Sequence, residues 1–338
     1  MPDEAVLEEL LSRPTPPLVE AMARVRGDLV ILGAGGKMGP SLARLARRAS
    51  EAAAVRRTVT AVSRFADAAL RGALEADGIA TVACDLFERT QVDALPDAAN
   101  VIYMVGQKFG TSDHPPRTWA VNTVLPALAA ERYRAANLVA FSTGNVYPLW
   151  PLASAGPAES DPVGPVGEYA QSALARERIL EFWSRERGTP MALLRLNYAV
   201  EPRYGVLRDI ADAVREGRGV DLAMGAINLI WQRDANAIAL RMLEHCASPP
   251  VVLNVTGRPA HGVRWIASEF GRRLGAEPLF QGVERPTALL SDAARCEELL
   301  GTPETGIAEM IDRVARWVKD GGPSLGKPTR FEMREGSF

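Results

Sequence analysis

Gly33, Gly36 and Gly39 stand three residues apart in the stretch Val30-Ile31-Leu32-Gly33-Ala34-Gly35-Gly36-Lys37-Met38-Gly39. An apolar run of β type enters this cluster, and a helix-period pattern from Pro40 to Ala46 leaves it. At such a bend the first glycine permits the tight turn, and the second lets peptide nitrogens approach a diphosphate. The third lets the helix pack on the strand, while the helix N-terminus adds unpaired N–H groups and the positive end of its dipole. Gly33, Gly36, Lys37, Met38 and Gly39 are therefore the expected dinucleotide-binding loop. A glycine turn that holds no ligand is the competing reading, and the flanking strand and helix weigh against it.

The second strand, Val59-Thr60-Ala61-Val62, runs into Ser63-Arg64 and not into the acidic residue that usually holds the ribose hydroxyls of NAD. A carboxylate there would repel a 2′-phosphate, whereas Arg64 would pair with one bidentately and Lys37 would add a second positive charge. This favours NADP over NAD. An arginine stacked on adenine in an NAD site is the competing explanation.

Composition limits the remaining possibilities. With 338 residues the chain builds either one large α/β unit or two lobes. Its 39 Lys and Arg against 41 Asp and Glu are scattered, which argues against a nucleic-acid groove or a polybasic membrane surface. Cys84, Cys246 and Cys296 lie far apart, with no zinc or disulfide spacing, as suits a reducing cytoplasm. No His, Asp and Glu set has metal-ligand spacing. The acidic start at Asp3-Glu4 is unlike a signal peptide, and no apolar run is long enough to span a bilayer. A cytoplasmic protein acting on a small molecule, without nucleic-acid or membrane partners, is the expectation.

The elements that must carry these residues alternate. Residues 1–26 read as a helical lead-in broken by Pro14, Pro16 and Pro17, with Val6, Leu10, Leu11, Leu18 and Met22 packing on the body. Strands are expected at 28–33, 57–63, 79–84, 99–105, 137–142, 190–196 and 250–255. Helices are expected near 38–49, 66–76, 117–134, 167–186, 204–216, 234–246, 262–274, 290–300 and 305–319. Strands rich in Val, Ile and Leu that alternate with helices demand a doubly wound parallel sheet of Rossmann type, covered on both faces. The Pro-, Gly- and Ala-rich stretch 148–167 is a loop over the sheet edge, and the stretch from Asp320 an extended tail. We expect a nucleotide lobe over 1–190 and a smaller substrate lobe over 191–338, some of whose segments (about 225–256) return to the sheet.

Further landmarks follow in order: Asp85-Leu86, Asn122, Ser142-Thr143-Gly144-Asn145-Val146-Tyr147, Gly167-Glu168-Tyr169-Ala170-Gln171-Ser172-Ala173 and Leu194-Arg195-Leu196-Asn197. Over roughly 28–275 the chain resembles the extended short-chain dehydrogenase/reductase superfamily, the NAD-dependent epimerase/dehydratase group that acts mostly on sugars and nucleotide sugars. The resemblance implies an NAD(P)-dependent oxidoreductase or epimerase working on a sugar or sugar derivative. Asp85 would accept from the adenine amino group, Leu86 would pack on the ring, and Asn122 belongs to the cofactor side. Thr143 would bond the substrate oxygen, and Tyr169 would exchange a proton with that oxygen. The family often dimerises through two helices, here 117–134 and 167–186, so a homodimer is implied. Its Asp-Glu after the catalytic Thr is replaced by Gly144-Asn145, which argues against a sugar dehydratase.

One departure matters. The lysine four residues after the family's tyrosine is Ala173 here. A phenol with a pKa near 10 must fall by about 3 units, roughly 4 kcal/mol, to act as a base at neutral pH. One cation about 5 Å away at an effective dielectric near 20 supplies roughly 3 kcal/mol of that. Lys108, in Val105-Gly106-Gln107-Lys108-Phe109-Gly110 after the fourth strand, is one replacement, and a solvated loop lysine is its competing reading. Arg176 lies two turns up the helix, about 10 Å in rise, a doubtful reach. Otherwise Tyr169 is a neutral donor, or the protein is a catalytically silent dinucleotide-binding sensor or scaffold.

On the substrate side, Asn145 and Gln171 flank the expected centre and suit a polyhydroxylated ligand. Asn197, Arg203 and Tyr204 either hold hydroxyls or a carboxylate, or serve packing and surface. Gln232 and Arg233 are weaker candidates. The loop around Asp113-His114-Pro115-Pro116 is placed to cover the site, with His114 a loop residue, His245 structural and His261 a helix cap or surface residue.

Overall fold

The computed structural model describes residues 3–111 and 113–336; Ser112 and the two residues at each end of the chain, with what the sequence suggested for them, lie outside. The apolar runs form seven strands: β1 (Leu29–Leu32), β2 (Val59–Ser63), β3 (Ala80–Ala83), β4 (Asn100–Tyr103), β5 (Asn137–Thr143), β6 (Met191–Leu196) and β7 (Val251–Val255). They make one sheet in the order β7-β6-β5-β4-β1-β2-β3, parallel at every pairing. All four residues of β1 and of β4 are buried, as strands covered on both faces must be. Val30 and Leu32 join the core on one face while Ile31 joins the core on the other.

Strand order reverses at β1, whose two neighbours are β4 and β2. The connections leaving these strands diverge, so a crevice opens beyond the carboxyl ends of β1 and β4. Gly33 follows β1 there, and Thr143 ends β5, which lies next to β4.

The lead-in is a pair of helices. In α1 (Glu4–Ser12) the Asp3 carboxylate caps the start, accepting from Ala5 N at 2.9 Å and Val6 N at 3.3 Å. Pro16 and Pro17 open α2 (Pro16–Arg24), where a missing N–H costs nothing. Then follow α3 (Gly39–Ala52), α4 (Gly167–Arg187), α5 (Val206–Arg215), α6 (Gln232–Arg241) and α7 (Ile307–Lys319). The single helix expected at 117–134 is interrupted: a helical turn Pro115–Trp119 passes through a wide π-type turn, Ala120–Val124, before Leu125–Arg132. Pro126 has no N–H to return to the carbonyl of Asn122, so the ladder loosens there.

A separate core is built from α5, α7, the helix Val263–Leu274 and Trp231. Leu7 and Leu11 of α1 belong to it, whereas Leu18 and Met22 of α2 belong to the sheet. Glu8 pairs with Arg44 of α3 at 2.8 Å and with Arg203 at 2.8 Å, so the helical pair fastens the two cores together.

The C-terminal stretch is not the extended tail expected from its glycines and prolines. It doubles back over the body: Leu325 N donates to Arg203 O at 3.0 Å, Thr329 N to Asp209 Oδ2 at 2.7 Å, and Phe331 is buried in the second core. Among the described residues no helix is long and apolar enough to cross a membrane.

Candidate active site

The glycine loop has the shape its spacing implied. Gly33 has φ +92°, and a side chain on it would meet Val105 within 3 Å. A methyl group on Gly39 would collide with Ala34 O, so only glycine lets α3 start this close to the loop. Gly35 and Gly36 are exposed, with Gly36 N donating to Gly33 O at 3.1 Å. Bare peptide at a helix start on the crevice is a cradle that fits a diphosphate. Met38 caps α3 and packs on the sheet core, with its carbonyl accepting from Ser41 Oγ at 3.0 Å.

Farther along the crevice Ser63 touches Gly35, and Arg64 stands exposed after β2. Asp85 follows β3 and accepts from Phe87 N at 3.1 Å. Leu86 is buried among Val30, Leu32 and Val62. These residues ring the edge where an adenosine would lie.

Lys37 does not extend toward Arg64. Its ammonium sits 3.3 Å from the centre of the Tyr204 ring and 4.6 Å from that of Phe109. Burial, with Lys327 and Lys108 nearby, pushes its pKa down to about 7. The second positive charge expected for a 2′-phosphate therefore points the other way, toward the second core.

Thr143 and Tyr169 come together. β5 carries Thr143 to the crevice, and the short turn Gly144–Val146 bends the chain away. Thr143 Oγ1 lies 3.0 Å from Asn145 Oδ1 and accepts from Asn145 N at 3.2 Å. Tyr169 lies in the first turn of α4 with its hydroxyl hydrogen-bonded to Thr143. Burial raises the Tyr169 pKa, while the Thr143 bond and the Arg176 charge act against that rise. Trp119 Nε1 donates to Glu168 at 2.5 Å, tying the Pro115–Trp119 turn to the same end of α4.

Two cations approach the phenol. The Lys108 ammonium is 5.9 Å from the Tyr169 ring centre and 5.6 Å from that of Phe109. Burial pushes its pKa down to about 8, against the pull of Asp209 and Glu332. Arg176 reaches farther than its place on the helix suggested. It is buried, donates to Phe141 O at 2.8 Å and to Asn122 Oδ1 at 2.6 Å, and acts electrostatically on Tyr169. Ala173 leaves room for no lysine: it is fully buried against Val146 and Tyr147.

Several residues expected at the site do other work. Asn122 is buried, and its amide bonds Gln107 N, Gln107 O, Ser172 Oγ and Arg176, so it braces the loop that carries Lys108. Gln171 is exposed; two positions after Tyr169 puts it about 200° round the helix. Asn197 is buried and donates to Leu289 O at 3.3 Å. Arg203 is held by Glu201 at 3.1 Å and Glu8 at 2.8 Å. Gln232 donates to Ser41 at 2.9 Å, and Arg233 pairs with Asp234 and Glu304. Of the substrate-side candidates, Tyr204 faces Lys37 and is acted on electrostatically by Tyr169, and Asn145 bonds Thr143 beside Tyr169.

Sequence reasoning missed Tyr198, Asp209, Phe109 and Glu332. Tyr198 has φ +44°, rare outside glycine, and burial raises its pKa. No local pattern marks these residues, because they meet only through the packing of α5 and the C-terminal stretch. Among the described residues no cluster of three or more His, Cys, Asp or Glu is arranged to hold a metal.

With this geometry in hand, residues 29–255 match the model of the NAD dependent epimerase/dehydratase family. The chain belongs to that family. Its extended short-chain dehydrogenase architecture recurs in solved structures at low identity. Pal from Bacillus thuringiensis is 15% identical with a TM-score of 0.72. MoeE5, solved with UDP-glucuronic acid and NAD, is 20% identical with a TM-score of 0.71. The UDP-glucose 4-epimerase of Thermotoga maritima, solved with UDP-glucose, is 15% identical with a TM-score of 0.70. In each case 87% of this chain covers 99% of the other. Among curated proteins none matches it in sequence.

Proposed function

We propose that this family member is an NAD(P)-dependent epimerase or dehydrogenase that oxidises a carbinol carbon of a sugar or sugar derivative. The observation that carries the reading is the Thr143–Tyr169 hydroxyl pair with the Lys108 ammonium beside it, across the crevice from the glycine loop. Bound nicotinamide would supply the hydride acceptor. Gly33, Gly36, Met38 and Gly39 would hold its diphosphate, Asp85 and Leu86 the adenine, and Ser63 and Arg64 the adenosine ribose. Arg64, where a carboxylate would repel a 2′-phosphate, supports NADP, now without help from Lys37.

Thr143 fixes the substrate hydroxyl, and Tyr169 takes its proton as the carbon gives up hydride. Lys108 replaces the missing lysine as the cation beside the phenol, and the Arg176 charge also favours tyrosinate. Asn145, hydrogen-bonded to Thr143, and Tyr204 complete the substrate side. A homodimer through the segments 117–134 and 167–186 is supported by Val124 and Phe182, which lie exposed on them.

The test is titration with NAD and NADP, followed by a panel of sugars, sugar acids and nucleotide sugars monitored by reduced-nicotinamide absorbance. Tyr169→Phe and Lys108→Ala are run alongside. Failure to bind either dinucleotide ends the cofactor reading. Activity indifferent to both substitutions ends the site assignment.

A further inference from the structure

We propose that the segment Pro323–Gly336 forms the outer wall of the catalytic cleft and restricts the substrate to a compact molecule without a nucleotide tail. The inference rests on the catalytic reading above and narrows its substrate class.

The segment is anchored along its length. Leu325 N and Ser324 Oγ donate to Arg203 O, and Thr329 donates to Asp209 Oδ2 through N at 2.7 Å and Oγ1 at 2.5 Å. Phe331 is buried in the second core. Arg334 donates to Ala223 O at 2.9 Å and to Thr287 O and Oγ1 at 2.6 Å each. Gly336 is pressed on the backbone of Val166 and Gly167, so that a methyl group on either glycine would collide. This contact lies two residues before Tyr169.

The charged side chains of the segment act on groups around the site. Glu332 acts on Lys108, Tyr198 and Asp209, and Lys327 acts on Lys37. The wall thus runs from Arg203, the neighbour of Tyr204, to the start of α4, crossing from the second core to the sheet. A ligand seated on Tyr169 and Thr143 has this backbone in front of it. A nucleoside diphosphate attached to its anomeric carbon would have to pass through a layer held by hydrogen bonds and by Phe331. A free sugar or sugar acid carries no such tail. The segment also lies beyond Val255, where the match to the family ends.

The test compares the full chain, saturated with whichever of NAD and NADP it binds, with a chain ending at Gly322. UDP-glucose binding is read calorimetrically, and acetylation of Lys37 and Lys108 by pulsed acetic anhydride is read by peptide mass, with exposed Lys319 as the internal standard. We expect the shortened chain to gain UDP-glucose affinity by about tenfold or more and both lysines to react about tenfold faster. Equal labelling and equal UDP-glucose affinity in the two chains overturn the proposal. Loss of Phe331 from the core could unfold the shortened chain. In that event Arg334→Ala, which keeps every residue and frees the far anchor, is read by the same two measurements and judged the same way. If neither NAD nor NADP binds either chain, the catalytic reading has failed, and the labelling ratio still decides whether the segment is a wall.

Discussion

At the residue scale the centre is a phenol whose pKa burial raises and which must nevertheless pass a proton. Tyr169→Phe should lower kcat by about 10²–10⁴-fold with NAD affinity unchanged, read by steady-state kinetics and a cofactor titration. The cation beside it sets the pH dependence. Lys108, with Lys37, Asp209 and Glu332 facing it, titrates at about 8, so its charge is present below that pH and lost above it. Turnover should therefore fall as pH rises through about 8. Lys108→Arg should abolish this limb, and Glu332→Gln, by removing an anion that favours the charged form, should move it to lower pH. Lys37 bears on stability. Its folded pKa of about 7 lies below the ordinary 10.5, so between those values the unfolded chain binds more protons and stability rises with pH. Lys37→Met should raise Tm at pH 6 more than at pH 10, measured by thermal melts.

At the element scale the bend after β1 makes the sharpest demand. Gly33→Ala places a side chain at φ +92° against Val105 and should cost about 1–3 kcal/mol while abolishing dinucleotide binding. Gly72→Ala is the control: it sits exposed in the helix Ala68–Ala76 with open space around it and should add about 0.5–1 kcal/mol to stability in denaturant titrations. The glycine loop and all seven strands of the sheet were legible in the sequence, because each is written in contiguous residues with a period that only one backbone satisfies. The Thr143–Tyr169 meeting was legible through family resemblance alone, since 25 intervening residues separate them. The roles of Asn122, Asn197 and Arg203 were not. Their polar types suit a ligand as well as they suit Gln107, Leu289 and Glu8, and only packing chooses between these. Arg176 was discounted by counting rise along the helix, which ignores how far a guanidinium folds back along its own stem.

At the scale of the whole molecule, both ends of the chain fasten the two cores. α1 reaches one core and α2 the other, with Glu8 bridging Arg44 and Arg203, while the segment Pro323–Gly336 joins the second core to the start of α4. Removing residues 1–26 should take the buried side chains of Leu11, Leu18 and Met22 out of the two cores and lower Tm markedly, with a loss of several kcal/mol in denaturant titration. The packing of the N-terminal helices on the body was legible in their apolar positions, whereas the C-terminal strap was not, because Pro, Gly and charge describe a tail and a strap equally well. Ala173, lastly, limits how the site can be re-engineered. It is fully buried with Val146 and Tyr147, and Arg176 of the same helix is committed to Asn122 and Phe141. Ala173→Lys would force a second cation into an occupied, dry space and should lower Tm. A lysine one turn beyond the phenol would therefore need Val146 or Tyr147 trimmed in the same step.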